Sequence, residues 1–303
     1  GHPFGPHRMG VFWQEACRLG LDSQVALRQP VIASREELER FHTPSYVAMV
    51  QACSRSGNGL LDHGDTPAFP GVYEAAAHVV GSALQAMEEI MSGRCRRAFI
   101  PIAGLHHARP NIAGGFCVFN DAGVVVHTLR SKYGIRKVAY VDIDAHHGDG
   151  VFYAFENDPD LIFADLHQDG RTLYPGTGSA EERGKGDAEG SKLNISLPPG
   201  AGDSHFAQVW PQVVAFLQQN QPEFIILQAG TDSIAGDPLT QLRLSPTTHY
   251  LVTSRLVQLA ESFGHGRVLA LGGGGYNANN IAKGWCEVLR ALVETPVKQT
   301  VTA

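Results

Sequence analysis

The stretch VAYVDIDAHHGDG, residues 138–150, begins as an apolar strand and then sets Asp142, Asp144, His146, His147 and Asp149 close together. Burying unpaired charge of this kind is costly, so something must compensate it. Asp144 and His146 offer a carboxylate oxygen and an imidazole nitrogen, a sulfur-free pair suited to a divalent cation. In an extended segment residues i and i+2 point to one side, so both can reach one ion. Asp232, in the GTDS that follows EFIILQA, can supply a third ligand. Three protein ligands and an open position are the pattern of a catalytic zinc centre, and the same donors also accept Fe2+. A polar strand-end network, with Asp232 capping a helix, is the plainer reading of any one of these residues. The set together points to a metal.

A second constellation is His106-His107 in GLHHA. Asp142 and Asp149 are left over once the metal has its ligands. A carboxylate behind an imidazole fixes its tautomer and raises its basicity. Two His–Asp pairs beside an activated water would form a general acid/base system. The run LGGGGY, residues 271–276, lacks the G-x-G-x-x-G spacing of a nucleotide loop and lies far from any first βα unit. Its glycines instead allow the backbone a close approach. They present Tyr276, whose hydroxyl can donate to a developing oxyanion.

The elements that must position these groups are legible as apolar runs. RAFIPIA (97–103), KVAYVDI (137–143), LIFADL (161–166), KLNISL (192–197), EFIILQA (223–229) and RVLAL (267–271) read as strands. Several are continuously apolar, as in parallel strands covered on both faces. Helical patterns alternate with them at 71–93, after Asn120, and at 204–220, 246–263 and 279–294. Ser34 to Glu37 reads as a capping box opening a short helix. The expectation is one α/β domain around a mostly parallel sheet, spanning 1–303. Ligands of such sheets bind beyond the C-terminal ends of the strands, and four strands here end in candidate chemistry.

At 303 residues, 43% of them hydrophobic, the chain can bury a substantial core. A net charge of −6 argues against general affinity for nucleic acid or anionic membrane. No apolar run reaches about 18 residues, so no membrane span is expected. Five cysteines without a C-x-x-C argue against a disulfide framework or thiolate zinc site and suit a reducing, cytoplasmic setting.

The motifs GLHHARPNIAGGFCVFND, VDIDAHHGDGV, YPGTG, QAGTDSIAGDPL and LGGGGY, in this order, resemble the zinc-dependent histone deacetylase family, including its bacterial acetoin-utilisation-type members. HPFGPHRM extends the resemblance over nearly the whole chain. It implies the arginase/deacetylase fold and hydrolysis of an N-acetyl-lysine amide in a peptide or protein; a small acylated amine such as an acetylpolyamine is the alternative substrate. It implies Asp144, His146 and Asp232 as zinc ligands, and His106 and His107 as the acid/base pair, backed by Asp142 and Asp149. Tyr276 would polarise the scissile carbonyl. Gly115, Phe116 and Tyr174 would wall the acyl-lysine channel, Asp65 would grip substrate backbone at its rim, and Arg8 would serve an acetate cavity. Leu239 stands where polyamine-specific relatives carry an acidic gatekeeper.

Three departures from the family pattern stand out. Tyr174 replaces a common Phe. Asp165 replaces a common Ser beside a structural K+ whose other implied contacts are Asp142, Asp144, His146 and Leu166. The family's first strand would precede residue 1. A two-manganese ureohydrolase of the same fold is a remote alternative, because Gly148 stands where that chemistry needs a bridging Asp. His147 is left as structural support.

Overall fold

The computed structural model describes residues 2–62 and 64–296. The implied first strand and residues 297–303 lie outside them. Six strands, β1 (Arg97–Ile100), β2 (Val138–Asp142), β3 (Leu161–Gln168), β4 (Lys192–Leu197), β5 (Phe224–Gln228) and β6 (Val268–Leu271), form one sheet in the order β1-β6-β5-β2-β3-β4. Every pairing is parallel. All five residues of β2 and of β5 are buried, because helices cover both faces of these central strands.

Among the described residues nine α-helices accompany the sheet: α1 (His7–Arg18), α2 (Arg35–Leu38), α3 (Pro44–Ser56), α4 (Val72–Met91), α5 (Asp121–Tyr133), α6 (Asp149–Ala154), α7 (Asp203–Asn220), α8 (Pro246–Ser262) and α9 (Ala278–Glu294). The period-2 alternation of the strands divides the core in two. Val138, Tyr140, Phe163 and Ile226 pack with α3, α4 and α5 on one face. Ala139, Val141, Ile162 and Leu227 pack with α7, α8 and α9 on the other. Helix α1 lies against α9 through Phe12, Ala16, Ile281 and Trp285. The Ser34–Glu37 capping box is formed.

The strand order reverses between β2 and β5: β3 and β4 continue to one side, then the chain returns to the other for β5 and β6. A crevice opens where strand order reverses in this way, beyond the C-terminal ends. None of the helices is long and apolar enough to cross a membrane, among the described residues.

Candidate active site

Asp144 and His146 follow β2, and Asp232 follows β5, so the two strands flanking the reversal supply all three residues of the candidate metal centre. One ligand atom from each lies within 4.8 Å of the others. His146 Nδ1 stands 3.0 Å from Asp144 Oδ1 and 3.1 Å from Asp232 Oδ2. Carboxylate oxygens only accept, so these buried groups need a cation among them, either a proton on Nδ1 or a metal ion. Ligands about 2.0 Å from a tetrahedral Zn2+ stand about 3.3 Å apart, so the observed spacing fits that ion. The cradle is tight: a Cβ at Gly274 would lie 2.2 Å from Asp232 Oδ2, and one at Gly230 would lie 2.1 Å from Asp144 Oδ2.

The outer oxygens of these carboxylates are also held. Gly274 N–H and Gln228 Nε2 donate to Asp144 Oδ2 at 2.8 and 2.9 Å, and Ala145 N–H donates to Asp232 Oδ1 at 2.8 Å. Burial works against the imidazolium of His146, yet its bonds to Asp144 and Asp232 push its pKa up to about 10. Burial raises Asp232 to about 7, with help from the neighbouring Asp144 charge.

His106 and His107 sit in the loop after β1. Asp121, the first residue of α5, accepts from Gly104 N–H and Leu105 N–H at 2.9 Å and so pins the start of that loop. His106 Nδ1 lies 2.8 Å from Asp142 Oδ2, and His107 Nδ1 lies 2.7 Å from Asp149 Oδ1. With Nδ1–H donating in each pair, the two Nε2 atoms meet at 3.1 Å. Two lone pairs would repel there, so one proton is shared between the rings. Burial opposes a charge on either ring. Asp142 and Asp144 nevertheless raise His106 to about 10, whereas burial and the His106 charge lower His107 to about 4. In metal-free protein these opposite directions favour the shared proton on the His106 side.

Tyr276 follows β6, and Asp237 holds its backbone by accepting from Tyr276 N–H at 2.8 Å. Burial and the charges of Asp232 and Asp144 push the phenol well above its ordinary value, so it stays a donor. A small, narrow cavity is lined by His106, His107, Asp144, His146, Gly115 and Tyr276, among others. The Phe116 ring stands edge-on to Tyr276 at 5.8 Å, and the Tyr174 ring stands 5.0 Å from His107. Gly115 has φ +51°, and a Cβ there would lie 2.3 Å from His107 Cδ2. Phe116 holds φ +68°, uncommon for a non-glycine residue, and its N–H donates to Thr66 Oγ1 at 3.1 Å.

Asp65 lies in the loop that carries Thr66, and its carbonyl is 3.2 Å from His2 Nε2. Leu239 is exposed, its N–H donating to Asp237 Oδ1 at 2.9 Å. Arg8 is buried and donates to the carbonyls of Gly273 and Gly275, so it braces the loop before Tyr276. Asp165 is buried in β3 and accepts from His167 Nδ1 at 2.7 Å and Gly148 N–H at 2.8 Å. His167 Nε2 faces the carbonyl of Gly178 at 2.8 Å, so both its nitrogens donate and it forms a buried ion pair with Asp165. Leu166 is buried beside this pair. His147 Nδ1 contacts Thr177 Oγ1 at 2.8 Å, and its ring packs on His167.

Sequence reasoning missed Asp121, Gln228, Asp237 and Thr66. Gln228 carried a signal, a lone amide ending an otherwise apolar strand; the others are ordinary loop or helix-start residues until the chain is folded.

A histone deacetylase domain model matches residues 2–292. The chain is 34% identical over 302 residues to the acetoin utilization protein AcuC of Bacillus subtilis, covering 95% of this chain and 76% of that one. It is 35% identical to histone deacetylase 8 of Xenopus tropicalis, covering 90% of this chain and 74% of the relative. The crystal structure of the HDA15 HD domain superposes with a TM-score of 0.89 at 28% identity, over 98% of this chain and 85% of that one. A parallel sheet with this site at its reversal, matched by the family model over residues 2–292, places the chain in the histone deacetylase family, whose members are hydrolases.

Proposed function

We propose that this protein hydrolyses the amide of N-acetyl-lysine in a peptide or protein, releasing acetate and the free amine, with Zn2+ held by Asp144, His146 and Asp232. The observation that carries the reading is the pair of His–Asp couples sharing one proton beside that centre, with Tyr276 lining the same cavity. When bound, the metal would polarise the acetyl carbonyl and make water a better nucleophile. Fe2+ suits the same donors.

His107, the neutral ring, takes the proton of the attacking water at Nε2, giving up the hydrogen bond it accepts from His106 Nε2–H, while Asp149 accepts from its Nδ1–H and steadies the imidazolium that forms. His106, already charged, lends its positive field to the developing oxyanion. Tyr276 donates to that oxyanion from its hydroxyl. The C–N bond then breaks, and His107 returns its proton to the departing lysine nitrogen. Phe116 and Tyr174 flank the methylene stem, and Gly115 leaves room for it beside His107.

Leu239 is neutral and exposed where the resemblance sets an acidic gatekeeper for polyamine-specific relatives. That favours an acyl-lysine over the acetylpolyamine alternative, which carries extra ammonium charge. Against a two-metal ureohydrolase, a Cβ at Gly148 would already lie 2.9 Å from Asp142 Oδ2, which leaves no room for a bridging carboxylate. The main-chain carbonyls of Asp144 and His146 accept no hydrogen bond among the described residues. They are free for a K+ beside Asp165 and Leu166, and we include that ion in the proposal. Offering acetyl-lysine peptides, longer acyl-lysine peptides and acetylpolyamines to one zinc-loaded preparation tests the reading. Turnover of acetyl-lysine should exceed the others; preference for the polyamine would overturn the substrate assignment.

A further inference from the structure

Asp149 and Asp142 are held in different ways. Asp142 ends β2, and three donors converge on it: Tyr140 Oη at 2.8 Å, His106 Nδ1 at 2.8 Å and Asp144 N–H at 3.0 Å. Asp149 opens α6, a helix of six residues, and its side chain has two partners. Its Oδ1 serves His107, and its Oδ2 accepts from Arg109 Nη2 at 2.8 Å. We infer that Arg109 is a positioning residue for the acid/base pair, clamping the second oxygen of Asp149 so that the first stays aimed at His107 Nδ1. The inference rests on the deacetylase reading above for its rate test.

Arg109 is itself well placed to act as a clamp. Its N–H donates to Ile112 carbonyl at 2.9 Å, closing a tight loop two residues after His107. Its guanidinium lies over the Tyr153 ring at 5.3 Å, and the Tyr153 hydroxyl donates to Glu182 Oε2 at 2.7 Å. The Arg109 side chain is 45% exposed while that of Asp149 is 3% exposed, so the pair ties the surface to the buried carboxylate behind His107. Removing the guanidinium leaves Oδ2 without a protein donor, and the carboxylate is then free to turn away from His107. A charge-assisted bond from a planar guanidinium fixes direction as well as charge, which an ammonium does only in part.

The test uses the full chain loaded with zinc, an acetyl-lysine peptide, and Arg109→Met and Arg109→Lys. Arg109→Met should lower kcat roughly tenfold, the order typical for losing a residue that orients another. KM and thermal midpoint should stay near wild type, and Arg109→Lys should recover part of the rate. A KM rise that Lys does not repair, or an unchanged kcat, would overturn the inference. A second measurement needs no substrate: the downfield proton resonance of the His107 Nδ1–H in the hydrogen bond to Asp149 should shift or broaden in Arg109→Met. If wild type fails to hydrolyse the peptide, the proposed function fails, and the resonance alone decides for or against Arg109.

Discussion

The proton that His146 carries between Asp144 and Asp232 occupies the place a metal ion would take. The folded pKa of about 10 lies above the ordinary 6.5, so in metal-free protein this proton stabilises the fold fully below pH 6.5. The contribution is lost as pH rises through about 10. Zinc must displace that proton, so binding should release protons and tighten as pH rises within this window. Calorimetry in buffers of different ionisation enthalpy measures the release at pH 7.5; no release, or uptake, would contradict the account. Tyr276→Phe should lower kcat by roughly a hundred- to a thousandfold, with the melting temperature unchanged, because one oxyanion donor is removed. Steady-state kinetics on an acetyl-lysine peptide reads this directly. Charged side chains at the ends of apolar strands are conspicuous in sequence, which is why Asp144, His146 and Asp232 could be grouped before the fold was known. Arg109 was not legible, since its role depends on a loop closing against the first turn of α6.

Positioning at the site is the work of short loops and helix starts, more than of the strands themselves. Asp121 bonds two backbone N–H groups of the loop that carries His106 and His107. Asp121→Ala leaves both unsatisfied and buried and should cost about 2–4 kcal/mol in urea unfolding; an unchanged midpoint would show that the loop is held by other means. Gly115→Ala is expected to cost activity more than stability, because both its positive φ and the close approach to His107 Cδ2 forbid a Cβ. Lost turnover with a near-native melting curve would show this; full turnover would not fit. All six strands were legible, most as continuous apolar runs, which have few other homes, and KLNISL by its partly alternating pattern. Helices α1, α3 and α6 were not picked out. Helix α1 has no side-chain cap, and α6 is too short to show a period. Helix α3 did carry a signal, Thr43 capping a Pro44 start, that its weak apolar periodicity obscured.

Taken whole, the molecule gathers its chemistry where the strand order reverses: β1, β6, β5 and β2 lie side by side, the segments after β1, β2 and β6 line one cavity, and Asp232 after β5 meets Asp144 and His146 beside it. The parallel architecture could be read from the alternation of strand and helix patterns. The strand order could not, because it depends on which crossovers pack best and leaves no local trace in the chain. That order is what brings Asp232 beside Asp144, although 88 residues separate them by number. The central claim is a single metal ion joined to a protonated histidine pair, and metal titration of stripped protein tests it most directly. Turnover of an acetyl-lysine peptide should be absent without metal, rise with added Zn2+ or Fe2+, and reach its plateau at one ion per chain. Undiminished turnover in stripped protein, or a plateau at two ions per chain with manganese preferred, would contradict it.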